Sequence, residues 1–219
     1  MDLIVQPVET DLTHHVFFEE PQLEFSKEDN RLRFLGNLLE TFDLRLNDIK
    51  IKQNFPSNNI YHFSKFYGRA FLDVSLGYEE YRAQLRNPYD KEQASTLFGK
   101  LAQLFKSIPI KEQRVVAQQH LSTDGNATSH LNSLNPSCPE NFKDILEQSG
   151  VHYKLKIPSH ELTINITLVG SIFIEGGIYL DEAMFFSPNL YDFDEALDVS
   201  VEYHNLILKE LGLVIEDNR

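Results

Sequence analysis

In residues 200–213, SVEYHNLILKELGL, a histidine interrupts an apolar helical stripe: Phe193, Leu197, Val201, His204, Leu208 and Leu211 share one face. An imidazole in that position can ligate a metal, act as a general base, or bury its carbons while its nitrogens find partners. The last role is the expected one, so His204 reads as a core histidine bonded to backbone groups, or as one lining a pocket or subunit interface. The eight histidines include no pair spaced i, i+4, the spacing a zinc-binding helix needs. His14 and His15 are adjacent on an expected strand and therefore point to opposite faces. His152 and His160 are separated by Pro158. No metal site and no cofactor are expected.

Paired carboxylates, Asp181-Glu182 and Asp192-x-Asp194, have the chemistry to hold Mg²⁺ or to work as acid and base. Asp192, with Glu195 three residues on, fits a helix capping box better. No G-x-S-x-G elbow and no G-x-x-x-x-G-K-[ST] loop occurs, and Cys138 stands in a loop without an adjacent basic helix start. Nucleotide-driven and acyl-transfer enzymes therefore leave the front rank. The alternative reading is a hydrolase or nuclease-like enzyme with a composite site drawn from His14, His62, His120, His204, Asp73 and Asp181. Three or more of these in one concave pocket would favour it.

Charge points elsewhere. The net charge of −13 over 219 residues opposes binding to a phosphate backbone. From Glu175 to Leu208 the chain carries eight acidic residues and no Lys or Arg. Glu175, Asp181, Glu182, Asp194, Asp198 and Glu202 are the candidate partner-binding surface, suited to a basic protein. Neither nucleic acid nor membrane is an expected partner; a homo-oligomer is compatible with the chain. A single cysteine gives no internal disulfide, no run approaches the roughly 18 apolar residues of a membrane span, and MDLIVQPVETDL does not resemble a signal peptide. The expected compartment is the cytoplasm.

The elements that must position these residues follow from periodicity. DKEQASTLFGKLAQLFKSI places Ala94, Leu97, Phe98, Leu101, Leu104, Phe105 and Ile108 at helical spacing between Pro88 and Pro109. A second helix starts near Asp192 and stops at Gly212; a shorter one is expected in PENFKDILEQSG. LTINITLV alternates with period two, and SIFIEGGIYLD is expected to form strands split by a Gly176-Gly177 turn. Further strands are expected in THHVFFEE, FDLRLNDIKIKQ (with a slip near Asn47-Asp48), NIYHFSKFY, AFLDVSL and QRVVAQQHL. STDGNATSHLNSLNPS reads as a long mobile loop.

The resulting expectation is an α+β domain over 1–219, an antiparallel sheet packed on two main amphipathic helices. YGRAFLDVSLGYEEY and EGGIYLDEAMFFSPN both run small residue, aromatic, Leu, Asp, and each precedes one of those helices. They suggest a duplicated hairpin-plus-helix module, with halves at about 1–121 and 139–219 joined by a loop at 122–138.

TLFGKLAQLFKSIPI running into EQRVVAQQHL, and GGIYLD preceding YHNLILKELGLVIED, resemble the sporadically distributed bacterial family known by serial numbers. Leu180-Asp181 match its strand end, and His204, Ile207 and Leu208 match its final helix, over about half the chain. The family's opening strand is not evident in the first forty residues. The resemblance implies an α+β fold; the strands-then-helix plan is also similar, more distantly, to SecB-like chaperones. The combined expectation is a cytoplasmic, non-enzymatic protein-binding module of bacterial or phage type, antitoxin-, immunity- or chaperone-like, using the acidic surface or an exposed sheet edge.

Overall fold

The computed structural model describes residues 2–54, 58–63, 71–88, 91–134, 149–187 and 192–216. The fold is α+β. Its strands are β1 (Leu3–Phe18), β2 (Ile49–Asn54), β3 (Asn58–Phe63), β4 (Phe71–Leu76), β5 (Glu80–Arg86), β6 (Ile110–Thr123), β7 (Val151–Ile157), β8 (Leu162–Gly170), β9 (Ile178–Phe186) and β10 (Leu213–Ile215). The helices among the described residues are α1 (Glu28–Thr41), α2 (Lys91–Leu104), α3 (Ala127–Leu134) and α4 (Phe193–Glu210). Hydrogen-bonded strand order is β2-β3-β4-β5-β1-β6-β9-β8-β7, with β10 paired to β1 in parallel in an otherwise antiparallel sheet.

The periodic segments fold as their spacing demands. In β8 and β9 alternate residues are buried: Leu162, Ile164, Ile166 and Leu168, then Ile178, Leu180, Glu182, Met184 and Phe186. In α2 the buried positions are Ala94, Leu97, Phe98 and Leu101. The α4 box is reciprocal: the Asp192 amide donates to Glu195 Oε2 (3.2 Å) and the Glu195 amide to Asp192 Oδ1 (2.9 Å). Gly212, at φ +64°, takes the left-handed turn that ends α4.

Two compact units interleave along the sequence: residues 11–115 with 185–197, and residues 1–10, 116–184 and 198–219. In the first, β2 to β5 form a meander whose last strand pairs with β1 from Asp11↔Arg86 to Phe17↔Glu80. α1 and α2 cover one face through an aromatic core in which Tyr81 stacks on Phe105 at 4.0 Å and Phe34 approaches both Tyr61 and Phe105. In the second, α3 packs on β8 with Ala127 and Leu131 buried, and His130 Nε2 donates to the Leu211 carbonyl (2.9 Å).

Several expectations need correction. Residues 122–138 are not a continuous loop: Ser122 and Thr123 complete β6 and 127–134 form α3, while 135–138 lie outside the described residues. SIFIEGG is not a strand. Residues 171–177 are the loop between β8 and β9, tied by Ser171 Oγ, which accepts from the amides of Phe173 (3.2 Å) and Ile174 (3.0 Å). Gly177 allows that closure, because a Cβ there would come within 2.7 Å of the Leu121 carbonyl. Of the strand expected in THHVFFEE, Thr13–Phe18 are the end of β1, which begins already at Leu3. The slip near Asn47-Asp48 is a short 3₁₀ turn at Leu46–Asp48, with β2 beginning only at Ile49. The helix expected in PENFKDILEQSG, and Cys138, lie outside the described residues apart from Gln148's successors Ser149 and Gly150.

Both of the expected modules are hairpins followed by a helix, β4–β5–α2 and β8–β9–α4. The Leu-Asp segments that suggested them are not equivalent, since 71–76 is the first strand of its hairpin and 178–186 the second.

Candidate functional site

The six acidic residues differ in exposure. Glu182 is fully buried, because the period-two alternation of β9 turns it toward the core with Leu180 and Met184. It is withdrawn from the partner-binding surface. Asp181, on the opposite face, is half-buried and accepts from Gln118 Nε2 (2.9 Å). Asp194 is exposed and accepts from Ser95 Oγ (2.8 Å). Glu175, Asp198 and Glu202 are exposed.

Among the described residues His204 is bonded to no backbone group. Its Nδ1 donates to Glu182 Oε2 at 2.7 Å, and its side chain keeps about a fifth of its surface accessible. Glu182 Oε1 has no hydrogen-bond partner among the described residues. The satisfied core histidine is instead His14. A neutral ring protonated on Nε2 fits both of its partners: Nε2–H donates to Gln113 Oε1 (3.3 Å), and Nδ1 accepts from the Tyr81 hydroxyl (3.0 Å). Burial drives the His14 pKa down to about 3, against the opposing hydrogen bond to Gln113. His15, on the other face as expected, pairs with Glu80 at 2.8 Å; burial lowers its pKa and Glu80 partly restores it.

Of the residues proposed for a composite active site, His62 and Asp73 meet. They face each other across β3 and β4, and His62 Nδ1 donates to Asp73 Oδ1. With Phe71, Gln84 and Arg86 they line a shallow pocket of about 220 Å³. Arg86 Nε and Gln84 Nε2 both donate to Asp11, at 3.0 and 2.8 Å, so Asp11 neutralises the guanidinium. His14 is in the core, and His120 Nδ1 hydrogen-bonds with Ser171 Oγ (2.9 Å). Asp181 and His204 have the separate partners given above. Two residues of the six line this pocket, against the three or more that would have favoured the enzyme reading. Among the described residues no group of three or more His, Cys, Asp or Glu is placed to hold a metal ion.

Sequence reasoning missed β7. Its register, Val151↔Leu168 to Ile157↔Leu162, puts Tyr153 beside Ile166 and Leu155 beside Ile164. Tyr153 and Leu155 therefore extend the row of buried β8 residues, yet they are 39% and 38% exposed. His152, Lys154 and Lys156 point to the other face, all exposed, and His152 Nδ1 hydrogen-bonds with Thr167 Oγ1 (3.0 Å). β7 ends the sheet, and no described strand pairs with its outer side. A strand edge offers unpaired amides and carbonyls, so β7 has the chemistry to accept another extended chain. The signal in the sequence was the alternation of apolar and basic residues in VHYKLKI. At the other end of the sheet β2 carries Lys50 and Lys52 around Ile51. No helix among the described residues is long and apolar enough to cross a membrane. No protein-family model and no curated protein sequence matches the chain.

Proposed function

We propose that this is a protein-binding module, cytoplasmic and of bacterial or phage type, that holds an extended segment of a partner against β7. One observation carries the reading: no described strand pairs with the outer edge of β7, while its two central apolar side chains continue the core row and stay well exposed. An added strand would satisfy the backbone groups of that edge and cover Tyr153 and Leu155 at the same time. A single cysteine among 219 residues suits a reducing compartment.

The test is photo-crosslinking in the cell of origin from a benzoylphenylalanine at position 154, with position 206, exposed on α4, as control. An adduct from 154 and none from 206 is expected, with slowed amide exchange over 151–157 in the purified complex. Unchanged exchange over β7 in a stable complex would refute strand addition.

A second reading seats a basic partner on the exposed acids of α4, Asp198 and Glu202, within a stretch lacking Lys and Arg. Asp198→Lys/Glu202→Lys should then weaken capture and abolish its salt dependence while exchange over 151–157 stays the same with and without partner.

A further inference from the structure

We infer that the strand received by β7 is acidic, alternating carboxylate and apolar side chains, and that it is not a second copy of β7. The inference rests on the strand-addition reading and adds the chemistry of the occupant.

Charge decides it. In a chain of net charge −13, Lys154 and Lys156 stand exposed on one face of an edge strand. No salt bridge joins either to a described residue. Residues directly opposite in an antiparallel pair lie on the same face with Cβ atoms roughly 5 Å apart. A strand added in phase therefore sets one set of side chains against Lys154 and Lys156 and the alternate set against Tyr153 and Leu155. Carboxylates suit the first positions and β-branched or aromatic side chains the second. The rest of the acidic surface opposes such a ligand only at short range, because charges beyond about 8 Å are screened at physiological ionic strength.

The same lysines bar a second copy. Full antiparallel overlap of residues 151–157 with themselves is centred on residue 154. It sets Lys154 directly against its own copy. Like charges directly opposite are destabilising, and lysine is a common guard of exposed edges.

Three capped seven-residue peptides test this: one alternating Val and Glu, one alternating Val and Lys, and the Val/Glu peptide with a central Pro. Affinity is read by fluorescence anisotropy on the full chain, and the site by amide exchange over 151–157. The Val/Glu peptide should bind about ten-fold more tightly than Val/Lys, slow exchange in β7, weaken as salt rises, and lose its contact on insertion of Pro. Lys154→Glu/Lys156→Glu, a surface change, should reverse the preference. Equal affinities with β7 protected would overturn the acidic assignment and leave strand addition standing. If neither alternating peptide protects β7, both fall. Sedimentation of the free chain as a dimer, with β7 protected, would replace the acidic strand by a second copy.

Discussion

Glu182, fully buried on β9, is joined to His204 on α4 by a 2.7 Å hydrogen bond, and its second carboxylate oxygen meets no described partner. Removing the histidine leaves a buried carboxylate with no described partner on either oxygen. His204→Ala should therefore cost about 3 kcal/mol in urea unfolding. Glu182→Leu with His204→Leu should recover most of that loss, since an apolar pair of similar volume carries no desolvation penalty. A loss of less than about 0.5 kcal/mol in the single variant would show that the pair does not stabilise the fold.

His14 predicts an acid-sensitive core. Its folded pKa of about 3 lies below the ordinary 6.5 because of burial, so the unfolded chain takes up the proton first as pH falls. Its contribution is fully present above pH 6.5 and declines by about 1.4 kcal/mol per pH unit between there and pH 3. His14→Leu should be less stable at pH 7, because Tyr81 and Gln113 lose their hydrogen bonds to the ring, and its stability should fall less steeply from pH 6.5 to 4. Denaturant unfolding at four pH values measures the difference; equal slopes would remove His14 from the acid response.

How much was legible in the sequence depended on whether one element sufficed to show a pattern. α2 and α4 each bury most of an apolar stripe, with Leu104, Val201 and His204 partly accessible, and β8 alternates cleanly, so periodicity identified them. α1 buries only Phe34, Leu35 and Leu38, and α3 buries only Ala127 and Leu131 in a segment rich in Ser, Thr and Asn. β7 alternates too, but with lysines and no buried residue to mark an inner face. The histidine pairs were beyond reach for a different reason. His204 and Glu182 are 22 positions apart and meet through the placement of a helix on a strand; His62 and Asp73 are 11 apart and meet only through the β3–β4 register. Residue spacing encodes neither relation.

The two main stripes should be intolerant of charge. Leu101 is completely buried on α2 and Leu208 nearly so on α4. Leu101→Asp and Leu208→Asp should each cost about 3 kcal/mol or more, because each places an unpaired carboxylate among apolar groups. A melting temperature within a degree or two of the parent would remove that position from the core.

α3 should behave as structure. Leu131→Ala should cost about 2–4 kcal/mol, the usual range for truncating a buried leucine, and limited proteolysis should spare 127–134. Cleavage inside that span in the folded chain, with Leu131→Ala neutral, would restore the loop reading.

β10 pairs in parallel with the first strand, Leu3 beside Leu213 and Val5 beside Ile215, and Gln6 donates to Glu216 across a separation of 210 positions. On the ribosome, residues 3–5 therefore wait for almost the whole of this sequence before that side of β1 is covered. Contacts this distant in sequence slow folding and prolong the exposure of unpaired strand. The nascent chain is consequently most vulnerable to aggregation just before residues 213–215 emerge, and stalling synthesis there should increase its recruitment of chaperones.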